Sequence, residues 1–263
     1  MTASMAAVKI PFPVVYIRLL AGLCVTLLGL TQLTACSGER YTALMNAARN
    51  GDSEAVSRML DLGANVNEKT TKGKTALMLA AAGGFTDTVK QLADRGADVR
   101  LKDDYDTTAL IAAATGGHAD TAVLLMEYGA DPTFKDTSGG SALSNATFFG
   151  HTQTVVAILD HMQQLPEQVG EELIMLAAGL GHQQIAEALL KKGVSPNARG
   201  IKQRTALMAA VAFEKTELVK LLLENGADIN ASDDEGISAI TVAEDNGPEE
   251  ILKLLQKHQN KNK

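Results

Sequence analysis

The sequence predicts an all-α solenoid, and three observations carry that prediction. A segment of 33 residues recurs along a chain of 263. Thr or Ser and Gly fall at fixed places in each copy, where a helix would start and stop. Aromatic residues are scarce: four Tyr, six Phe and no Trp. Compact enzyme cores of this size lean on large aromatic side chains, whereas Ala, Leu, Val and Met suit thin, closely stacked helices. The length allows one or two domains. With 46% hydrophobic and 21% charged residues, the chain is neither disordered nor a polytopic membrane protein. Two Cys exclude a disulfide-rich scaffold, and a net charge of −7 argues against a general nucleic-acid binder.

The N-terminal segment comes first. Lys9 and Arg18 stand in a stretch without acids, followed by an apolar run over 19–30. That run is too short for a membrane-spanning helix, which needs about 20 residues, and has the pattern of a secretory signal peptide. Leu33-Thr34-Ala35-Cys36 resembles the lipobox of bacterial lipoproteins. The resemblance implies a cleaved signal over 1–35 and a lipidated Cys36, palmitate among its acyl chains, on a short tether over 36–40. Two or more chains make stable anchoring. Ser37, rather than Asp, points to the outer membrane by enterobacterial-type sorting, hence a periplasmic location. Met1 and Met5 are both open as the start. Cleavage also removes Cys24, so no disulfide is expected, and the remaining 22 bases against 31 acids leave −9.

The repeats fill the rest. TALMNAARNG from Thr42, TALMLAAAGG from Thr75, TALIAAATGG from Thr108 and SALSNATFFG from Ser141 are each 33 apart. ELIMLAAGLG from Glu172, TALMAAVAFE from Thr205 and SAITVAEDNG from Ser238 follow at 31, 33 and 33. Behind most of them stands a second signature, such as LDLGANVN, ADRGADVR and LENGADIN. Thr or Ser caps a first helix, and Gly51, Gly84, Gly117 and Gly150 end it. A second helix carries one apolar stripe, for example Val155, Ile158 and Leu159, and another Gly closes it. Stacked neighbours bury what a lone unit cannot. The T-x-L, A-A and G-A-D pattern resembles the ankyrin repeat over 41–257, with a polar C-terminal tail over 258–263. It implies about seven helix-turn-helix units with β-hairpin fingers. Two departures stand out. Thr-Ala-Leu-Met replaces the usual Thr-Pro-Leu-His opening in repeats one, two and six. Between repeats four and five, Met162 and Glu172 stand where Gly and Thr are expected, so a missing or reshaped finger is predicted near 161–171.

Candidate chemistry mostly dissolves. Gly73-Lys74-Thr75 ends like a phosphate-binding loop, but Glu68 stands where that loop needs Gly. His118, His151 and His182 share one repeat position, which makes a ladder rather than a metal cluster. His161 and His258 have no partner at ligand spacing, and a Gly-x-Ser-x-Gly elbow is absent. The expectation is a non-enzymatic protein with no cofactor and no metal.

The resemblance also names partner-facing positions: finger tips and the inner face of the first helix. They include Lys72, Lys74, Lys102, Tyr105, Lys135, Phe148, Phe149, Arg199, Lys202, Arg204 and Phe213. Aromatic and Arg side chains are common interface anchors, so a mixed aromatic and basic groove facing an acidic or amphipathic protein is expected. Phe148 and Phe149 have a second explanation, filling space at the irregular junction. Two roles stay open for a monomeric, membrane-anchored binder without nucleic acid: masking a periplasmic hydrolase or toxic effector, as immunity proteins do, or scaffolding an envelope enzyme.

Overall fold

The computed structural model describes residues 39–261, so the expected signal peptide and Cys36 lie outside the described residues. From Tyr41 the chain folds as seven helix pairs. They are α1 (Ala43–Arg49) with α2 (Ser53–Asp61), α3 (Ala76–Ala82) with α4 (Thr86–Asp94), and α5 (Ala109–Thr115) with α6 (Ala119–Glu127). Then come α7 (Ala142–Phe148) with α8 (Thr152–His161), and α9 (Glu167–Leu180) with α10 (Gln183–Lys191). The last are α11 (Ala206–Ala212) with α12 (Thr216–Glu224), and α13 (Ala239–Asn246) with α14 (Glu249–Lys261). Each first helix packs on the first helix of the next pair, and each second helix on the next second helix. The segment from 258, expected as a polar tail, continues α14 as far as Lys261.

Local chemistry sets the helix starts. The hydroxyl of Thr42, Thr75, Thr108, Ser141, Thr205 or Ser238 accepts the amide three residues on, at 3.1–3.3 Å. Such a cap contributes about 1 kcal/mol. Met adds to it in repeats one and six, where the amides of Thr42 and Thr205 donate to the sulfur of Met45 and Met208 at 3.5 Å. The first helices of repeats one to six each bury a Leu, such as Leu77, Leu110, Leu143 and Leu207, at 0–1% exposure. Small residues one turn later, such as Ala80 with Ala81 and Ala113 with Ala114, let the helices approach closely.

Between pairs, one side chain repeats its task. The Nε2–H of His118 donates to the carbonyl of Ala82 (3.1 Å), that of His151 to Thr115 (2.9 Å) and that of His182 to Phe148 (3.3 Å). Each bond joins one repeat to the last turn of the first helix before it. The ring needs the space above a glycine: a Cβ on Gly84 would lie 2.4 Å from His118 Nδ1. That glycine also has φ +69°, which an L side chain rarely adopts. Phe85 and Lys215 take the same place in repeats two and six, over Gly51 and Gly181.

The junction of repeats four and five is irregular where the sequence predicts it. Residue 162 is extended, and the chain re-enters helix at Glu167, so α9 has 14 residues where the first helices of repeats one to four have seven. With no Thr at 172 to cap it there, the helix starts early, behind Pro166. The finger of repeat five is absent. Met162, Leu165 and Val169 pack on the core at this place.

Candidate functional site

The partner-facing positions lie on the fingers and on the ends of the first helices. The fingers are tight turns, closed by isolated antiparallel bridges, Lys102 to Thr108, Arg199 to Thr205 and Ser232 to Ser238, rather than by longer strands. One oxygen organises each turn. Asp103 Oδ1 accepts the amides of Tyr105 and Thr107, both at 2.9 Å. Asp136 Oδ1 accepts those of Ser138 and Gly140, also at 2.9 Å. Asp233 does so for Glu235 and Ile237, and the hydroxyl of Thr70 for Lys72 and Lys74. Repeat six has Gly200 at this position, and its turn differs: a 3-10 turn over Ile201–Gln203 with Lys202 and Gln203 at φ +59° and +58°.

Neighbouring fingers are chained through the backbone. The amide of Asp104 donates to the carbonyl of Lys72 (3.1 Å), that of Thr137 to Tyr105 (3.0 Å) and that of Asp234 to Lys202 (3.1 Å). Fingers two, three and four thus form one run, and fingers six and seven another. The missing fifth finger separates the two.

Most of the sequence-predicted bases are engaged inside the chain. Lys135 Nζ lies 2.7 Å from Glu172, and Lys202 Nζ 2.6 Å from Glu235. Arg204 Nε lies 3.3 Å from Asp233, with side-chain exposures of 13% and 2%. Burial pushes the Asp233 carboxyl up, but the amides of Ile237 and Glu235 and the Arg204 guanidinium together hold it below the usual carboxylate range. Arg199 donates to the carbonyls of Gln203 and Ser232. Lys102 pairs with Asp106 (2.8 Å) and its Nζ stands 5.3 Å from the Phe134 ring. Lys72 is exposed and Lys74 half-buried, and neither makes an ion pair among the described residues.

The aromatic positions are more open. Tyr105 is 59% exposed and Phe213 47%. Phe148 and Phe149 are half-buried and pack edge to face on one another, ring centroids 5.0 Å apart. The side chains that pack on the core at the junction are Met162, Leu165, Val169 and Met175 instead. The Phe213 ring reaches from repeat six onto repeat five, 3.5 Å from where a Cβ on Gly179 would stand. One apolar tip was missed from the sequence: Ile201, 66% exposed. It stands four residues before Thr205, where Thr71, Asp104, Thr137 and Asp234 occupy the same place in other repeats; that contrast is the signal that would have found it.

The family model of ankyrin repeats in three copies matches residues 20–103, 44–136, 110–200 and 174–263. The chain belongs to the ankyrin-repeat family. A putative ankyrin repeat-containing protein of Treponema pallidum is 36% identical over 78 residues, 30% of this chain and 26% of that one. An ankyrin repeat-containing protein of Schizosaccharomyces pombe is 37% identical over 71 residues, 27% of this chain and 34% of that one. The match therefore spans about a quarter to a third of these relatives' length. Among solved structures, the ankyrin repeat domain of human ASB11 superposes with a TM-score of 0.72 at 24% identity, covering 83% of this chain and 98% of that one. That of Bcl-3 gives 0.73 at 22%, covering 82% and 98%. These likenesses show the fold alone; the ankyrin repeats of the family model indicate a protein-protein interaction module.

Proposed function

We propose that this chain is a lipid-anchored protein-binding module of a bacterial envelope, which binds and masks a periplasmic partner such as a hydrolase or toxic effector. The observation that carries the binding part is the contrast on the finger and first-helix surface. Ionic groups there fasten one repeat to the next, while Tyr105, Ile201 and Phe213 stay exposed. Large apolar side chains left in solvent at an interface position are what a partner would cover. A rigid stack suits this, because little ordering entropy opposes binding. The anchor rests on the order of positive segment, apolar run and Leu33-Thr34-Ala35-Cys36. Among the described residues, no helix is long and apolar enough to cross a membrane. An envelope scaffold that localises an enzyme uses the same surface and anchor.

Three measurements test this. Labelled palmitate should enter the wild-type chain and not Cys36→Ser. Pull-down from envelope extract should recover a stoichiometric protein. Deletion should make that partner toxic to the cell; mislocalisation of the partner without toxicity would favour the scaffold. Failure to recover any stoichiometric partner would contradict both roles.

A further inference from the structure

Among repeats two to seven the fifth is the one without a finger, and a set of apolar side chains, exposed at Ile201 and Phe213 and half-buried at Phe148, Phe149 and Leu180, lies in it and its two neighbours. Phe148 and Phe149 end α7 before it, Leu180 ends α9 within it, and Ile201 and Phe213 belong to repeat six after it. Two contacts tie these to one surface. His182 donates to the carbonyl of Phe148, joining repeat five to repeat four. The Phe213 ring lies over Gly179, joining repeat six to repeat five. In the runs on either side, the carbonyl of Tyr105 takes the amide of Thr137 and that of Lys202 takes Asp234. The matching positions that face the gap are Ser138 and Ile201, and the finger that would join them does not exist.

Charge says what this window fits. The first helices and fingers of repeats two to four (69–84, 102–117 and 135–150) carry five bases and four acids. Those of repeats five to seven (167–180, 199–215 and 232–246) carry four bases and nine acids. Three of those four bases are already held: Arg199 by carbonyls, Lys202 by Glu235 and Arg204 by Asp233. The stem of the fourth, Lys215, lies over Gly181. Glu171, Asp234 and Asp245 have no ion-pair partner among the described residues. Asp245 holds the register position that Phe148 holds in repeat four.

We infer that the window at the fingerless fifth repeat docks a basic amphipathic segment of a partner protein. Its apolar side chains would cover Phe148, Phe149, Leu180, Ile201 and Phe213, and its Lys or Arg would meet the surrounding acids. This rests on the protein-binding function proposed above and narrows it: the sequence-based expectation of an acidic or amphipathic partner becomes a basic amphipathic one, because Arg199, Lys202 and Arg204 beside the window are engaged within the chain. Opposite charges raise the association rate and suppress wrong partners more than they raise affinity, so the apolar centre has to supply the hold.

The test is fluorescence anisotropy with the full chain and three labelled synthetic amphipathic helices of equal length, built from Leu with Lys, Leu with Glu, or Leu with Gln. The Lys helix should bind tightest, about ten-fold or more above the Glu helix at low salt. Phe213→Ala and Phe148→Ala should each weaken it about ten-fold, in the range of an interface anchor, with thermal melts confirming the fold. The variant Asp234→Asn/Asp245→Asn, at two exposed positions, should keep the melt and flatten the salt dependence. Binding of the Glu helix at equal or higher affinity would overturn the inference, as would Lys-helix binding unmoved by these changes or no binding by any helix. If a stoichiometric partner is nonetheless recovered from the envelope, only this inference falls and the binding-module function stands.

Discussion

Repeats two to four and repeats five to seven are built on the same 33-residue plan and differ in continuity. In the first group every finger bonds to the next, and partly buried hydroxyls pair across repeats one to three: Ser53 with Thr88 at 2.9 Å and Thr86 with Thr121 at 2.8 Å. The next step of that hydroxyl ladder fails. Thr154 holds the position of Thr88 and Thr121, but Ala119 stands where its partner should be, and the Thr154 hydroxyl is buried without one. Thr147, in place of the Ala of repeats one, two, three and five, is likewise buried and unpaired. One repeat later the finger is gone. A solenoid's stability is roughly a sum over neighbouring interfaces, so local losses are tolerated, and a surface opens where the plan lapses.

The largest expected effect is on the regular side. Leu143→Ala, at 0% exposure, should cost about 3 kcal/mol in denaturant unfolding, the cavity-forming range. The half-buried Leu165 at the junction should cost about 1 kcal/mol when cut to Ala, within the ordinary range for a substitution. Equal costs would mean the junction is packed as tightly as the regular stack.

Next is the buried link between fingers six and seven. Asp233→Asn removes the charge that Arg204 Nε meets at 3.3 Å and should cost about 2 kcal/mol at neutral pH. The sign with pH follows from a carboxyl held below its usual range. Its stabilisation is fully present above the unfolded carboxylate pKa, about 3.9, and is lost as pH falls through the lower folded value. Wild-type and variant stability curves should therefore converge in acid. Parallel curves would remove the ion pair from the account.

Smaller, and opposite in sign, are the orphan hydroxyls. Thr147→Ala and Thr154→Val should each stabilise by about 1 kcal/mol, because an unpaired buried polar group is costly. Thr121→Val, which breaks a made bond, should destabilise by a similar amount. Smallest is Lys202→Ala: its pair with Glu235 is 41% exposed on both sides, so the change should be about 0.5 kcal/mol or less.

Much of the fold was legible because helix starts, stops and buried stripes are local and recur. The loss of the fifth finger was legible too, from Met162, Glu172 and a spacing of 31. The two added turns of α9 were not, since the chain over 162–171 has no periodic partner to compare with. The site was half legible. Register placed Tyr105 and Phe213 on the open surface, but pairings such as Lys202 with Glu235, 33 residues apart, or Lys135 with Glu172, 37 apart, depend on how the repeats stack. Such pairings engage Lys102, Lys135, Lys202 and Arg204, most of the bases that made the groove read as cationic.

The central claim is that the missing finger makes the docking window. The direct test restores it: 162–171 is replaced by the 12 residues 129–140, with Glu172→Thr as the helix cap, returning the spacing to 33. The account predicts a folded chain that melts higher than wild type and no longer binds the Lys amphipathic helix. A folded, finger-bearing chain that binds that helix as tightly as wild type would contradict it.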